Sequence, residues 1–332
     1  MQQFNRRTIL GALAAAAIVP LAACADDTAS TPSGSTGGGA EGELIVLGFS
    51  QVGAESGWRA ANTKSIQDTL TKENGFDLKF SDAQQKQENQ IQALRSYISQ
   101  GVDILAFSPV VETGWDAVLQ EAKDAGIPVV LTDRAIDSDD DSLYATFIGS
   151  DFVKEGEMAG EWAKEQYDGQ GLTIVELQGT TGSAPANDRK TGFASAIEGT
   201  DLEIIDSQTG NFTRTEGKTV MEGFLQKHDK IDIVYAHNDD MGLGAIEAIE
   251  AAGKVPGQDI KIITIDAVKD GMQALVDGKI NYIVECNPLL GPDLADIAKS
   301  VLAGEEVEKR IVVKDEAFDQ EAAKAVIADR QY

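Results

Sequence analysis

Histidine and cysteine, the residues that build most zinc sites and disulfide frameworks, are almost missing from this chain of 332 residues. His228 and His237 alone supply imidazole, which leaves His-rich zinc sites without ligands. Cys24 and Cys286 lie far apart in very different surroundings, so they indicate neither a disulfide framework nor a metal cluster. The sequence therefore predicts a protein that holds no metal ion and no cofactor.

Basic residues are also scarce, with 28 Lys and Arg against 55 Asp and Glu and a formal net charge of −27. An exterior of this charge repels phosphate backbones and anionic lipid surfaces, so nucleic acid is excluded as a partner. The hydrophobic fraction of 42% and the charged fraction of 25% are those of a soluble globular protein. A chain of this length is long enough for two domains of ordinary size.

The apolar run from Ile9 to Ala23 is too short to span a bilayer stably. It follows a pair of arginines and closes in small residues, so residues 1–23 are predicted to be a signal peptide. Leu21 to Cys24 resemble a bacterial lipobox, in which the cysteine is lipid-modified. We therefore expect an exported lipoprotein, anchored through Cys24 to the outer face of the cytoplasmic membrane in the cell envelope. The twin-arginine and Sec export routes both stay open.

Residues 24–42 are rich in Ser, Thr, Gly and Asp and contain almost nothing to bury. They are predicted to form a disordered tether. A flexible coil of this length would hold the folded part roughly 20–25 Å from the membrane.

From Leu44 onward, short apolar runs alternate with amphipathic stretches of helical length. This alternation is typical of parallel βαβ units with right-handed crossovers. The series starts again beyond Gly149, so the sequence predicts an α/β protein with two doubly wound halves of similar size. Further elements near the end of the chain indicate that it crosses between the halves more than once.

A set of polar and aromatic residues follows the ends of the predicted strands. Taken singly, each has an ordinary explanation, such as a local ion pair, a helix cap or a core aromatic residue. Taken together, carboxylates, amides, guanidinium forks and two aromatic rings at the same end of both sheets suit a polyhydroxylated ring. The set consists of Trp58, Arg59, Ser108, Asp133, Arg134, Asn187, Asp188, Arg189, Phe212, Asn238 and Asp266.

The strand-to-helix junction between Ile231 and Ile249 crowds four polar residues at a position where open α/β sheets place their ligands. Asn238 is the residue that we expect at the ligand. We expect His237 to pack or bond locally, and Asp239 and Asp240 to cap and charge the helix start.

The sequence offers no clear catalytic arrangement. Neither a Gly-x-Ser-x-Gly elbow nor a His-Glu-x-x-His motif is present. A carbohydrate-active enzyme would need two carboxylates across a scissile bond, whereas Asp239 and Asp240 are adjacent and offer no clear opposed pair. We therefore predict a binding protein and not an enzyme.

Six blocks of the chain resemble the periplasmic sugar-binding proteins of ABC transporters, within the ribose- and galactose-binding branch and most like its galactofuranose-binding members. The blocks are 47–61, 82–91, 108–115, 176–179, 210–214 and 235–241. The resemblance implies a type I periplasmic binding protein, with two Rossmann-like lobes joined by a three-strand hinge that closes over one sugar. It places the first lobe at 44–149 plus about 287–313, and the second at 150–286 plus about 314–332.

The resemblance also implies individual roles at the site. Trp58 and Phe212 match the aromatic residues that sandwich the sugar in this family. The polar residues that hold the sugar are matched by Asp133, Arg134, Asn238 and Asp266. Glu55 and Arg59 match the galactofuranose-binding members in particular. Ser108 stands where ribose-binding relatives have an asparagine. Asn187 and Cys286 stand where those relatives have a ligating arginine and a glutamine. Which of Asn187, Asp188 and Arg189 faces the ligand stays open.

These observations predict a monomeric receptor that captures a monosaccharide, galactofuranose-like, and delivers it to the permease subunits of an ABC transporter. The alternative is a sugar-sensing receptor that presents its liganded form to a membrane histidine kinase or chemoreceptor. The identity of the sugar and its ring form stay open, because the position of one hydroxyl is decided by geometry below the ångström scale.

Overall fold

The protein, described by a computed structural model over residues 43–332, consists of two α/β lobes, each built on a six-stranded sheet. The predicted signal peptide, the lipidation site at Cys24 and the tether lie outside the described residues. Among residues 43–332, no helix is both long and apolar enough to cross a membrane.

The sheet of the first lobe is parallel throughout. Its strands are β1 (Ile45–Gln51), β2 (Phe76–Asp82), β3 (Ile104–Phe107), β4 (Val129–Thr132), β5 (Thr146–Gly149) and β11 (Arg310–Val312). They lie in the order β11-β5-β4-β3-β1-β2. The short central strands β3 and β4 are buried along their whole length because helices cover both faces of the sheet.

Four helices form the outer layers of the first lobe. They are α1 (Gly57–Thr69), α2 (Gln87–Gln100), α3 (Asp116–Asp124) and α9 (Gly291–Leu302). Helices α1 and α9 pack on one face of the sheet through Ile66 and Leu294. Helices α2 and α3 pack on the other face through Leu94 and Val118.

The sheet of the second lobe is parallel except for one short edge strand. Its strands are β6 (Thr173–Gln178), β7 (Glu203–Thr209), β8 (Ile233–Ala236), β9 (Lys261–Asp266), β10 (Tyr282–Glu285) and β12 (Ala317–Phe318). They lie in the order β12-β10-β9-β8-β6-β7, and β12 pairs antiparallel with β10. The six helices are α4 (Phe152–Tyr167), α5 (Ala184–Ala196), α6 (Arg214–Lys227), α7 (Asp239–Ala251), α8 (Lys269–Val276) and α10 (Gln320–Val326).

The chain passes between the two sheets three times, between β5 and α4, between β10 and α9, and between β11 and β12. Asp315, in the third crossing, accepts a hydrogen bond at 3.0 Å from the backbone N–H of Asn287 in the second. The predicted fold class, two doubly wound lobes joined by three connections, is confirmed. From the strands that each sheet contains, we propose lobes of 44–149 plus about 287–313, and 150–286 plus about 314–332.

Candidate functional site

A cavity lies between the two lobes, at the carboxyl ends of their strands. Eight of the ten residues predicted to bind the ligand line it: Glu55, Trp58, Arg59, Asp133, Arg134, Phe212, Asn238 and Asp266.

Each lobe contributes one aromatic face to the cavity. Trp58 at the start of α1 and Phe212 just before α6 are both 4% exposed. The indole Nε1 of Trp58 donates to the carbonyl oxygen of Cys286 at 2.6 Å, which fixes the ring against the second crossing. The Arg59 guanidinium carbon lies 4.7 Å from the Trp58 ring centroid, and that of Arg134 lies 5.3 Å from the Phe212 centroid.

Arg59 organises the polar groups of the first lobe. Its Nε donates to Glu55 Oε1 at 3.0 Å, Nη1 to Gln51 Oε1 at 3.1 Å, and Nη2 lies 2.7 Å from Asp133 Oδ2. Burial lowers the pKa of Arg59, but the charges of Asp133 and Glu55 outweigh this and hold that pKa above its ordinary value. Ser108 lies one layer behind the cavity, where its hydroxyl donates to Asp133 Oδ2 at 2.8 Å.

Arg134 is held less completely than Arg59. Its Nη1 donates to the carbonyl oxygen of Val110 at 3.1 Å, and its Nη2 lies 3.7 Å from Glu55 Oε1. Burial, and then the neighbouring charge of Arg59, lower the pKa of Arg134 to about 10. Among residues 43–332, Arg134 Nε and Glu55 Oε2 are buried without a hydrogen-bond partner.

The second lobe supplies an amide and a carboxyl group. Asn238 caps α7, because its Oδ1 accepts from the backbone N–H of Met241 at 3.0 Å, while its Nδ2 donates to the Phe212 carbonyl oxygen at 3.1 Å. It is thus a cap and a lining residue at once. The Oδ1 of Asp266 lies 3.8 Å from Arg189 Nη2, and burial raises the pKa of Asp266 well above its ordinary value despite that charge.

The structure brings Arg189, and not Asn187, to the cavity. Arg189 Nε donates to Glu155 Oε2 at 2.7 Å, and its Nη1 donates to the carbonyl oxygen of His237 at 2.6 Å. Asn187 is exposed and its Nδ2 donates to the Glu112 carboxylate of the first lobe, outside the lining. Of residues 187–189, Arg189 is therefore the one that lines the cavity.

Three further lining residues were outside the predicted set: Ser56, Pro185 and Cys286. Ser56 is the N-cap of α1 and Pro185 lies in the first turn of α5. Both are helix-start signals that a sequence shows, and helix starts lie at the ligand edge of α/β folds. Cys286 was noted in the sequence as a departure from the ribose-binding pattern, without a role.

Backbone strain is concentrated at the lining. Asp133 and Phe212 have φ values of 61° and 62°, and Asp266 has a φ of 125°. Residues that carry side chains rarely adopt such values, and they persist where surrounding contacts fix them, often at ligand sites. The side chains of these three lining residues are thus held in place by unfavourable backbone conformations.

Several contacts tie the lobes together around the cavity. The backbone N–H of Gly57 donates to Asp240 Oδ2 at 2.7 Å, and the N–H of Glu112 donates to the carbonyl oxygen of Gly182 at 2.9 Å. Together with the bond from Trp58 to the second crossing, these contacts describe two lobes closed on each other.

Two residues of the β8–α7 junction face away from the cavity. His237 is fully buried, with Nε2 3.0 Å from Glu176 Oε1 and Nδ1 3.4 Å from the N–H of Gly179. Burial lowers the pKa of His237. Because Nδ1 accepts from the Gly179 N–H, the proton of the neutral ring lies on Nε2, which donates to Glu176. Asp239 accepts from the Thr264 hydroxyl at 2.5 Å. Within residues 43–332, no group of three or more His, Cys, Asp or Glu side chains is arranged to hold a metal ion.

Comparison with known proteins places these features in a family. The family model described as a periplasmic binding protein domain matches residues 47–306. The galactofuranose-binding protein YtfQ of Escherichia coli (strain K12) is 47% identical over 285 residues, which cover 84% of this chain and 89% of that protein.

Two solved structures are similar over nearly the whole described chain. A protein from Mycobacterium smegmatis in complex with β-D-fucofuranose is 63% identical, with a TM-score of 0.85 over 87% of this chain and 96% of that one. The periplasmic binding protein component of the arabinose ABC transporter from Shewanella sp. ANA-3, bound to α- and β-L-arabinofuranose, is 48% identical. Its TM-score is 0.82 over 86% of this chain and 95% of that one.

Proposed function

The chain belongs to the periplasmic binding protein family, and from this membership we propose that it captures one monosaccharide, galactofuranose-like, in the cavity between its lobes. The observation that carries the proposal is the lining itself. A buried aromatic face from each lobe can cover the C–H surface of a sugar, while carboxyl, amide and guanidinium groups meet its hydroxyls. The ten predicted residues, including Ser108 behind Asp133 and Asn187 outside the lining, remain our proposed binding set, to which we add Arg189.

The pairing of the guanidinium groups in the lining favours a neutral sugar. Arg59 contacts the carboxyl groups of Glu55 and Asp133, and Arg189 contacts those of Glu155 and Asp266. These two guanidinium groups are already engaged by the protein. A sugar phosphate or a sugar acid would need a surplus of positive charge to offset its own.

The ring form that we propose is a furanose. The similar proteins from M. smegmatis and Shewanella bind β-D-fucofuranose and L-arabinofuranose, and the E. coli relative is a galactofuranose-binding protein. We propose that no chemistry is performed on the sugar.

We further propose that the protein is an exported, monomeric lipoprotein that is anchored through Cys24 and delivers its sugar to an ABC permease. The proposal of a permease partner is supported by the Shewanella protein, which is a component of an ABC transporter. The proposal of a lipid anchor is supported by the lipobox-like residues 21–24. The closed arrangement of the lobes suits a receptor that presents a different surface when it is loaded.

Calorimetric titration with galactose, fucose, arabinose, ribose, fructose and galactose 6-phosphate tests the proposal. We expect saturable binding of one neutral sugar per chain and none of the phosphate ester. A crystal structure of that complex would then identify the ring form. Binding of the phosphate ester alone, binding of no sugar, or conversion of a sugar on prolonged incubation would overturn the proposal.

A further inference from the structure

One guanidinium joins three groups next to the cavity. Arg330 Nε donates to the carbonyl oxygen of Ala267 at 2.7 Å, Nη1 lies 2.7 Å from Glu285 Oε1, and Nη2 donates to Tyr332 Oη at 2.7 Å. The Tyr332 hydroxyl donates in turn to Glu285 Oε1 at 2.7 Å. We name Arg330, Glu285 and Tyr332 the Arg330 clamp.

The clamp is largely shielded from water. The side chains of Arg330 and Glu285 are 10% and 9% exposed. The Arg330 guanidinium also stacks 4.2 Å from the Tyr332 ring centroid. Because a planar guanidinium donates hydrogen bonds in fixed directions, its bonds to a carboxylate and a carbonyl define one geometry for the clamp.

The carbonyl that the clamp holds directly follows a residue of the proposed site. Asp266 lines the cavity with a φ of 125°, and Ala267 has a φ of 61°. Residues with side chains disfavour positive φ, so the backbone conformation of these two successive residues is maintained by contacts with their neighbours. The direction of the Asp266 carboxyl group therefore depends on the contacts of this short segment.

Those contacts hold three successive residues. The carbonyl oxygen of Asp266 accepts from the N–H of Cys286 at 3.2 Å, and the N–H of Val268 donates to Asp239 Oδ2 at 2.8 Å. Arg330 holds the carbonyl of Ala267 between them. Glu285, the partner of Arg330, is also the register partner of Asp266 in the sheet, so the clamp is built on the adjacent strand.

We propose that Arg330 is a positioning residue for the ligand site: through the Ala267 carbonyl it fixes the strained Asp266–Ala267 backbone and so aims the Asp266 carboxyl group into the cavity. The inference rests on the proposed function, because it concerns how firmly the sugar is held. Arg330 does not touch the cavity and acts through Asp266 alone.

The test compares Arg330→Lys with the wild-type protein, each with Asp266 intact and with Asp266→Ala, which leaves no carboxyl group to aim. Lysine keeps the charge opposite Glu285 but lacks the fork that reaches the Ala267 carbonyl. Calorimetry with the sugar that the wild type binds measures the four dissociation constants, and urea unfolding confirms that each variant is folded. Tyr332→Phe, which removes one hydroxyl from the clamp, serves as a milder variant. Arg95→Lys, on the surface of the first lobe, is the matched control.

We expect Arg330→Lys to raise the dissociation constant about tenfold when Asp266 is intact and less than about twofold beside Asp266→Ala. Tyr332→Phe should act in the same direction more weakly, and Arg95→Lys should have no effect. Equal weakening in both backgrounds would show general loosening of the lobe and overturn the inference, as would unchanged affinity in Arg330→Lys. Failure of the wild type to bind any sugar would overturn the proposed function itself and this inference with it.

Discussion

The ring of Phe212 lies directly on the backbone of Gly179, so close that a β-carbon at residue 179 would stand 1.9 Å from the Cζ atom of the ring. Gly179 follows β6 of the second lobe, and its N–H points to the neutral His237. The aromatic wall of the second lobe is therefore set by the missing side chain of a glycine one strand away.

Gly179→Ala should push the Phe212 ring into the cavity and weaken sugar binding at least tenfold, since displacements of about 1 Å can cost far more than that at a site. Calorimetry measures the effect. Gly223→Ala in α6 is the control, because a β-carbon there meets nothing within 4 Å. Alanine at 223 should stabilise the helix by about 0.5–1 kcal/mol and leave affinity unchanged. Equal affinities in the two variants would contradict this view of Phe212.

Arg59→Met should destabilise the first lobe by about 3–5 kcal/mol, because it leaves the buried carboxylates of Glu55 and Asp133 without their shared cation. Urea unfolding of the ligand-free protein measures the loss. Arg95→Met removes a similar bidentate pair with Glu121, but at the surface, and should leave the unfolding free energy nearly unchanged. A loss no larger than that of the Arg95 variant would show that the Arg59 network is not structural.

Asn187→Ala should shorten the lifetime of the closed, liganded state, because the Asn187 amide joins the second lobe to Glu112 of the first. We expect the sugar to dissociate a few-fold faster, as befits one hydrogen bond at a partly exposed site. Stopped-flow measurement of Trp58 fluorescence would follow the release. Lys190→Ala, an exposed position on the same helix, should behave as the wild type. An unchanged dissociation rate in Asn187→Ala would show that this contact does not stabilise the closed state.

Asp315 makes the hinge region sensitive to pH. Burial raises the pKa of its carboxyl group to about 6, against the opposing hydrogen bonds from Ser150 and the backbone of Asn287. The native state therefore binds more protons than the unfolded chain between about pH 4 and 6, so stability falls as pH rises through this range. The loss of stability is complete above pH 6 and amounts to about 2–3 kcal/mol of the free energy of unfolding.

Asp315→Asn removes the titration and keeps an acceptor for the Asn287 N–H. The difference in unfolding free energy between this variant and the wild type should grow in favour of the variant from pH 4 to pH 7. Asp68→Asn, whose side chain is 63% exposed, should show no such trend. A difference for Asp315→Asn that stays constant with pH would contradict the raised pKa of the Asp315 carboxyl group.

Much of the site could be predicted because parallel strands with right-handed crossovers bring their carboxyl ends to one edge. Asp133 after β4, Asn238 after β8 and Asp266 at the end of β9 meet for this reason. The fold class followed from the same alternation. Strands β5 and β12 were not predicted, since β5 lies beyond a loop rich in aspartate and β12 has two residues.

The orientation of α5 could not be predicted from residues 187–189. Consecutive residues of a helix point about 100° apart, so the packing of the whole helix decides which one faces the ligand. Here α5 packs against α4 at backbone distance, where a β-carbon on Gly156 would lie 2.3 Å from the Arg189 carbonyl and one on Gly192 would lie 2.0 Å from that of Val153. The positions of Gly156 and Gly192, and not residues 187–189, therefore determine how α5 is oriented.

The affinity of the purified protein and of Asp266→Ala for the same neutral monosaccharide, measured by calorimetry, tests the proposed site most directly. We expect saturable binding of one sugar by the wild type. We expect a loss of about 1–3 kcal/mol or more in the variant, because sugar hydroxyls that meet the buried carboxyl group are left unpaired. Equal affinity of the two proteins, or no binding of any sugar by the wild type, would contradict the proposed site.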